Sequence, residues 1–317
     1  MNALVKLQDN ANGKVELTIS STPETMISRF FAFLDTSEQT VRTYRHGISQ
    51  FMKYLHAENI NRPTRENVIA FKKALIAKGL KPSTIALYLS AIRRFFSWSA
   101  SEGLYPNITD GVKSPKQQGG HKRDYLSGSQ IQAMLKSTTS KRDYAMIALI
   151  ACTGLRTIEI VRANVEDIRT LGDSTVLYVC GKGRTDKTEF VNLSEPVIKA
   201  LQEYLSGRSN AKGNEPLFVS ASRRNSGQRL TTRTVSGVAK AAMKKAGYDS
   251  PRLTAHSLRH SAATLALLGG ASLEDVQQFM RHSSVNVTMI YVHSVQRLKS
   301  QCESCVTSAI FGERKIA

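Results

Sequence analysis

The chain has 317 residues, enough for about two domains of ordinary size, and is 41% hydrophobic, so it can bury real cores. Its 44 Lys+Arg against 25 Asp+Glu leave a formal net charge of +19. Such a surplus points to a polyanionic partner, most often nucleic acid, without separating DNA from RNA or anionic lipid. No run of about 18 or more apolar residues occurs, so no membrane span is expected. Met1 to Ser20 lacks a charged stretch followed by an apolar one, so no secretory signal is expected.

Residues 1–22 are polar and read as a flexible arm, with room for one short strand at Val15–Ile19. Val41, Tyr44, Ile48, Phe51 and Leu55 then follow a 3-4-3-4 spacing, the apolar stripe of a helix, with Arg42, Arg45 and Lys53 largely off the stripe. A second helix is predicted from Thr64 as N-cap, with Val68, Phe71 and Leu75 inward and Gly79 as its stop. A third follows Pro82, with Ser83 or Thr84 as cap, Ile85, Tyr88, Leu89, Ile92, Phe95 and Phe96 as core face, and Arg93 and Arg94 on the exposed side. Any one of these basic residues is best read as solvated. As a set on adjacent helices they resemble a surface that tracks phosphates.

Residues 112–123 hold Pro115, Gly119 and Gly120 and no apolar periodicity past Val112, which makes them the best linker. Beyond it a short helix starts near Ser127, followed by an apolar helix over Tyr144 to Cys152. Thr175–Cys180 and Glu189–Leu193 read as strands flanking a hairpin turn, Gly181 to Lys187. Helices are predicted near 195–206, 232–246, 257–269 and 272–281. A last amphipathic helix within Ser294–Phe311 carries Val295, Leu298, Cys302, Cys305 and Ile310 near one face. The fold class is therefore mainly α with a small β-sheet. Cys152 and Cys180 sit in apolar sequence and are expected to be core residues. Cys302 and Cys305 have no second C-x-x-C to complete a zinc site, so no metal is expected, and a reducing cytoplasm fits.

Reactive polar residues concentrate at five places in the second half. Arg156 follows Thr153-Gly154-Leu155. Lys182 sits in the hairpin turn. His256 and Arg259, three apart, share one helix face. His282 follows a helix end, and Tyr291 lies nine residues later. Each has an ordinary structural reading: Arg156 as a helix cap, Lys182 as a polar turn residue, Tyr291 as a half-buried core tyrosine. His256 and His260 have the spacing of a zinc pair, but Ser257 stands where a metalloprotease needs Glu, so His260 is read as a structural hydrogen-bonding residue.

Thr-Gly-Leu-Arg-Thr-Ile-Glu at 153–159, Gly-Lys-Gly at 181–183, His-Ser-Leu-Arg-His-Ser at 256–261 and His-Ser-Ser-Val-Asn-Val-Thr-Met-Ile-Tyr at 282–291 resemble the tyrosine recombinase, or phage integrase, family. The two-domain Xer-like form is nearest, over roughly residues 23–310. Each string is weak alone; all of them in the family's order are highly specific. The resemblance implies a helical core-binding domain at 23–111 and a catalytic domain at 124–317. It implies that Arg156 and Arg259 clamp the scissile phosphate, with His256 and His282 assisting. Lys182 would be the hairpin lysine, Tyr291 the nucleophile, and Glu159 the acidic residue bracing the first arginine. In the core-binding domain Arg42, Arg45, Lys53, Ser83, Thr84, Arg93 and Arg94 are the candidate DNA contacts. The partner implied is double-stranded DNA with inverted-repeat sites, the assembly a tetramer, and no cofactor is implied; the C-terminal helix either packs on its own domain or, as the resemblance suggests, docks on a neighbouring subunit to join that tetramer. Two departures stand out: Arg281 where many relatives have Gly before the second histidine, and Ile158 where many have Ser. Neither position is catalytic in the family.

The chemistry accounts for these residue types. Guanidinium forks match phosphate geometry and stay charged at any working pH. Preorganised charge can do the work of a divalent metal on the phosphoryl oxygens. A phenol with a pKa of about 10 needs neighbouring cations and a proton acceptor to attack at neutral pH. The rival readings are a type IB topoisomerase or telomere resolvase with the same residue set, and a silent DNA-binding regulator. The compact first domain argues against the former, the intact six-residue set against the latter.

Overall fold

The computed structural model describes residues 6–9, 15–18, 23–116, 124–181, 186–299 and 301–312. The chain divides into two compact units, Met1–His121 and Lys122–Ala317. Most described residues are helical, with two small antiparallel sheets. No helix among the described residues is long and apolar enough to cross a membrane.

In the first unit, strands β1 (Lys6–Asp9) and β2 (Val15–Thr18) pair as a hairpin, Lys6 opposite Thr18. The sequence allowed only the second strand; the rest of the 1–22 arm lies outside the described residues. Four helices follow: α1 (Pro23–Phe33), α2 (Glu38–Ala57), α3 (Arg65–Ala77) and α4 (Pro82–Ser101). The stripe Ile48, Phe51 and Leu55 of α2 and Val68, Phe71 and Leu75 of α3 is buried, and α3 opens at Thr64, whose backbone N–H donates to Asn67 Oδ1 at 2.8 Å. Gly47 lets α2 and α4 cross closely, since a Cβ there would lie 3.1 Å from Ala91 Cβ and 3.2 Å from Tyr88 Cα.

Three expectations change here. Helix α1 was not predicted, yet Phe30 is fully buried with its ring 5.3 Å from Phe95 and 5.5 Å from Trp98. The α4 cap is Lys81, with Pro82 at the first helical position, so Ser83 and Thr84 lie inside the helix. Arg93 is half-buried and donates through Nη2 to Val112 O at 2.7 Å and Ser114 Oγ at 3.1 Å, so it ties down the chain after α4 instead of standing free. Val112 itself is buried in this unit's core.

The second unit begins with α5 (Gly128–Lys136), capped by Ser127, and the buried α6 (Lys141–Thr153). The short α7 (Thr157–Arg162) follows. A sheet of β3 (Ile168–Leu171), β4 (Ser174–Val179) and β5 (Glu189–Asn192) comes next, in that spatial order. Strand β3 was not predicted; its alternation is masked because three of its four residues face solvent. β4 and β5 pair antiparallel with Val179 opposite Glu189, so the connection bearing Lys182 leaves from the end of the ladder.

Then come α8 (Glu195–Leu205), α9 (Thr232–Lys245), α10 (Ala255–Leu268), α11 (Leu273–Met280), α12 (Val285–Lys299) and α13 (Cys302–Phe311). The single predicted last helix is thus two, and Tyr291, left unassigned by the sequence, lies within α12. Cys180 is buried as expected, but Cys152 is exposed: it falls on the outward face of α6, between the buried Ala151 and Thr153. Cys302 and Cys305 are exposed on α13, so they do not form a core face; the side chain of Leu298 lies outside the described residues.

Candidate active site

The first arginine owes its place to the end of α6. Gly154 takes a left-handed conformation, φ +61°, and a Cβ there would come within 2.9 Å of Met280 Sδ. Both facts restrict the position to glycine, which turns the chain so that Arg156 opens α7. Arg156 therefore sits at the N-cap position of α7, where the Glu159 carboxylate accepts from both its main chain and its side chain. Its backbone N–H donates to Glu159 Oε2 at 2.7 Å, its Nη1 to Oε1 at 2.8 Å, and its Nη2 to Arg281 O at 3.1 Å.

Glu159 is fully buried. Burial alone would raise its carboxyl; the Arg281 guanidinium and the hydrogen bonds from Arg156 outweigh this and hold it below the ordinary range. Arg281 Nη2 reaches Glu159 Oε2 at 2.9 Å, so one buried carboxylate bridges two guanidiniums.

The His-Ser-Leu-Arg-His-Ser string forms the first turns of α10. Leu258 points into the main core, and the buried Ser261 Oγ accepts from Leu126 N at 2.7 Å and donates to Ser257 O at 2.8 Å. This leaves His256, Arg259 and His260 for the site. Arg259 is 2% exposed, and its two Nη atoms donate to Gly154 O and Met280 O, stapling the turn before Arg156 to the end of α11. Burial, then the charge of Arg156, pulls its pKa down to about 10, so it is still a cation at neutral pH. His256 is exposed, with its ring edge-on to His260 at 4.7 Å.

Tyr291 lies on the face of α12 turned to α10 and α11. Its ring packs with Ala263, Val276 and Met280 in a small core of their own, 5% exposed. The His260 ring lies 5.0 Å from it, tilted, and the His282 ring stacks nearly parallel at 6.2 Å. The buried Thr288, one turn before Tyr291, meets His282 Nδ1 at 2.9 Å, which leaves Nε2 for a ligand.

Burial, then the charges of Arg259, Arg156 and Arg281, pushes His282 down to about 4, so it is neutral at working pH. Because the folded value lies below the ordinary 6.5, the unfolded chain binds more protons between the two values. The stability this neutral ring contributes is complete above 6.5 and is lost as pH falls toward 4. Melting curves should therefore fall more steeply for wild type than for His282→Asn between neutral pH and about pH 5. Parallel curves would remove His282 as the titrating group.

The hairpin that carries Lys182 is anchored at both feet. Arg162 Nη1 lies 3.4 Å from both Cys180 Sγ and Gly181 O, and Lys187 Nζ meets the buried Asp167 Oδ2 at 2.5 Å. Lys182 itself lies outside the described residues. A cleft of about 750 Å³ opens between this hairpin and the end of α11, lined by Arg156, Gly181, Glu189, Gln277, Arg281 and His282.

Tyr291, His282, Arg259 and Arg156 thus gather around the ends of α6 and α11, with His256 at the rim beside His260. The sequence reading missed Thr288, signalled only by its place one turn from Tyr291, and gave Arg281 no part in the site. In the first unit Arg42, Arg45, Lys53, Ser83 and Arg94 are exposed and Thr84 is half-buried. Arg42 pairs with Glu38 at 3.4 Å, and the Arg45 guanidinium lies 4.2 Å from the Phe31 ring centre.

The profile of the "Phage integrase family" matches residues 124–297, and that of the "Phage integrase, N-terminal SAM-like domain" matches residues 27–103. The chain is 32% identical over 283 residues to tyrosine recombinase XerC of Haemophilus influenzae, covering 85% of this chain and 92% of that protein. It is 28% identical over 296 residues to tyrosine recombinase XerD of Listeria monocytogenes, covering 86% of this chain and 96% of that protein. Two solved structures share the fold. XerH site-specific recombinase bound to its difH substrate aligns with a TM-score of 0.70 at 24% identity, over 86% of this chain and 80% of that one. A lambda integrase dimer bound to a core site aligns with a TM-score of 0.65 at 20% identity, over 84% of this chain and 97% of that one. The chain therefore belongs to the phage integrase family, the tyrosine-type recombinases that cut and rejoin DNA at specific sites.

Proposed function

We propose that this recombinase cleaves each strand through Tyr291. The phenolic oxygen attacks the scissile phosphorus while its proton passes to His256. The 5′ oxygen leaves with a proton from Lys182. The products are a 3′-phosphotyrosyl bond and a free 5′-hydroxyl. Attack by the 5′-hydroxyl of a partner strand reverses the step, so the bond energy is kept and no ATP is needed. Arg156 and Arg259 neutralise the charge gathering on the non-bridging oxygens, and the neutral His282 donates a hydrogen bond from Nε2. No metal or cofactor takes part. The single observation that carries this reading is the packing of Tyr291 against His282 and His260, beside a guanidinium pair held by Glu159 and main-chain carbonyls.

The domains divide the work as 23–111 for DNA binding and 124–317 for chemistry, joined by the 112–123 linker, part of which lies outside the described residues. Arg42, Arg45, Lys53, Ser83, Thr84, Arg93 and Arg94 contact the DNA backbone, Arg93 while also bracing the chain after α4. Four protomers act in the cytoplasm on two inverted-repeat sites and exchange strands in pairs through a Holliday junction, in integration and excision, transposition or dimer resolution. Helix α13 docks on a neighbouring protomer. Its support is the exposure of Val306 (56%), Ile310 (68%) and Phe311 (75%), apolar side chains that the described part of their own unit leaves uncovered.

The test is covalent trapping on a nicked substrate made from the cognate site, with EDTA present. A protein–DNA band on a denaturing gel is the expected result. Its loss on chelation would overturn the metal-free mechanism.

A further inference from the structure

Arg281 ends α11 with φ +50° and ψ +52°, the left-handed region in which a side chain is strained and glycine is not. The arginine is therefore held against its own backbone preference. Strain of that kind persists where the surroundings compensate it. The compensation is visible. The side chain is 7% exposed, Nη2 is paired with the buried Glu159 at 2.9 Å, and Nη1 donates to Phe279 O at 3.0 Å; Nε, 4.0 Å from Glu189 Oε2, makes no hydrogen bond. The residue also grips Arg156 from a second side, because its carbonyl accepts Arg156 Nη2 at 3.1 Å.

We propose that Arg281 is a positioning residue for strand cleavage: through Glu159 and through its own carbonyl it fixes the Arg156 guanidinium over the scissile phosphate. The proposal rests on the reading that Arg156 contacts that phosphate. Electrostatics give it direction. With two guanidiniums on one carboxylate, the array keeps a surplus positive charge for the phosphate. If Arg281 is removed, Glu159 pairs with Arg156 alone, neutralises it and draws it back. The carbonyl at 281 also loses the side-chain anchor that sets its angle. Neither effect involves DNA affinity, which the many other basic residues supply.

The experiment is single-turnover cleavage of the nicked substrate by full-length wild type, Arg281→Gly and Arg281→Lys, each also in an Arg156→Lys background, with DNA binding measured alongside. Glycine suits the left-handed backbone; if that variant nonetheless fails to fold, judged by its circular dichroism, the lysine variant carries the comparison. The glycine variant should cleave about tenfold to a hundredfold more slowly with binding unchanged, as a small misplacement of a catalytic group does. Lysine, which keeps the charge and lacks the fork, should recover part of the loss. In the Arg156→Lys background, removal of Arg281 should cost nothing further, because the effect runs through Arg156. Wild-type cleavage by the glycine variant, or a loss that multiplies undiminished in that background, would overturn the proposal. Absence of a covalent adduct with wild type itself would instead overturn the reading of the site on which it stands.

Discussion

Tyr291→Phe is expected to lower the covalent cleavage rate by at least about 10⁴-fold, to below detection, as loss of a nucleophile does. DNA binding should be unchanged, since the basic surface is untouched. The substitution is informative because the ring is also a packing element. Phenylalanine keeps the contacts with Ala263, Val276 and Met280 and the stacking with His260 and His282, and removes the hydroxyl alone. Stability should therefore move by less than about 1 kcal/mol. Wild type and variant compared on one denaturing gel, with a mobility-shift assay beside it, read both quantities. An adduct of undiminished yield from the variant would place the nucleophile on another residue.

Glu159→Gln should be the most destabilising conservative change in the second unit, by about 3–5 kcal/mol. The amide preserves shape but not charge, leaving the guanidiniums of Arg156, Arg281 and the nearby Arg259 as like charges in a poorly solvated space. The retained pair is not itself a large source of stability; removing one partner is costly because the others cannot be rehydrated in place. Urea unfolding would measure it. A cost below about 1 kcal/mol would mean that water reaches these cations and that the site is softer than its burial implies. Cleavage should fall as well, because an amide keeps one acceptor oxygen where the carboxylate offers two, so Arg156 loses one of its two hydrogen bonds to this side chain and keeps the one to Arg281 O.

The sequence singled out the candidate site residues as polar groups among apolar helices, and only the resemblance of four strings to a known family joined them into one site. The spacing of His256 and Arg259, three apart, gave them a common helix face, while the turn that Gly154 makes before Arg156 emerged only in the fold. Helices α2 and α3 were legible because their stripes are clean. Helix α1 was not, since Phe30, Phe31 and Phe33 crowd one turn and blur the period. Helix α12 was hidden by Val285, Val287, Thr288, Ile290 and Val292, a β-branched run that favours a strand in isolation. Its packing on α10 and α11 overrides that preference. Arg281 showed in the sequence only as a departure from the family's pattern; its left-handed backbone and its reach to Glu159 depend on where α11 ends. Arg93 was misjudged likewise: helical phase set it beside Arg94, while its reach back to Val112 depends on where the chain turns after α4.

The small core around Tyr291 carries a last consequence. It is distinct from the main core of the second unit and holds α11 and α12 to one face of α10. The tyrosine ring is thus one of the apolar groups that seat α12 on α10 and α11. One side chain therefore serves two ends, and the reach of the nucleophile is set by how its own helix is seated.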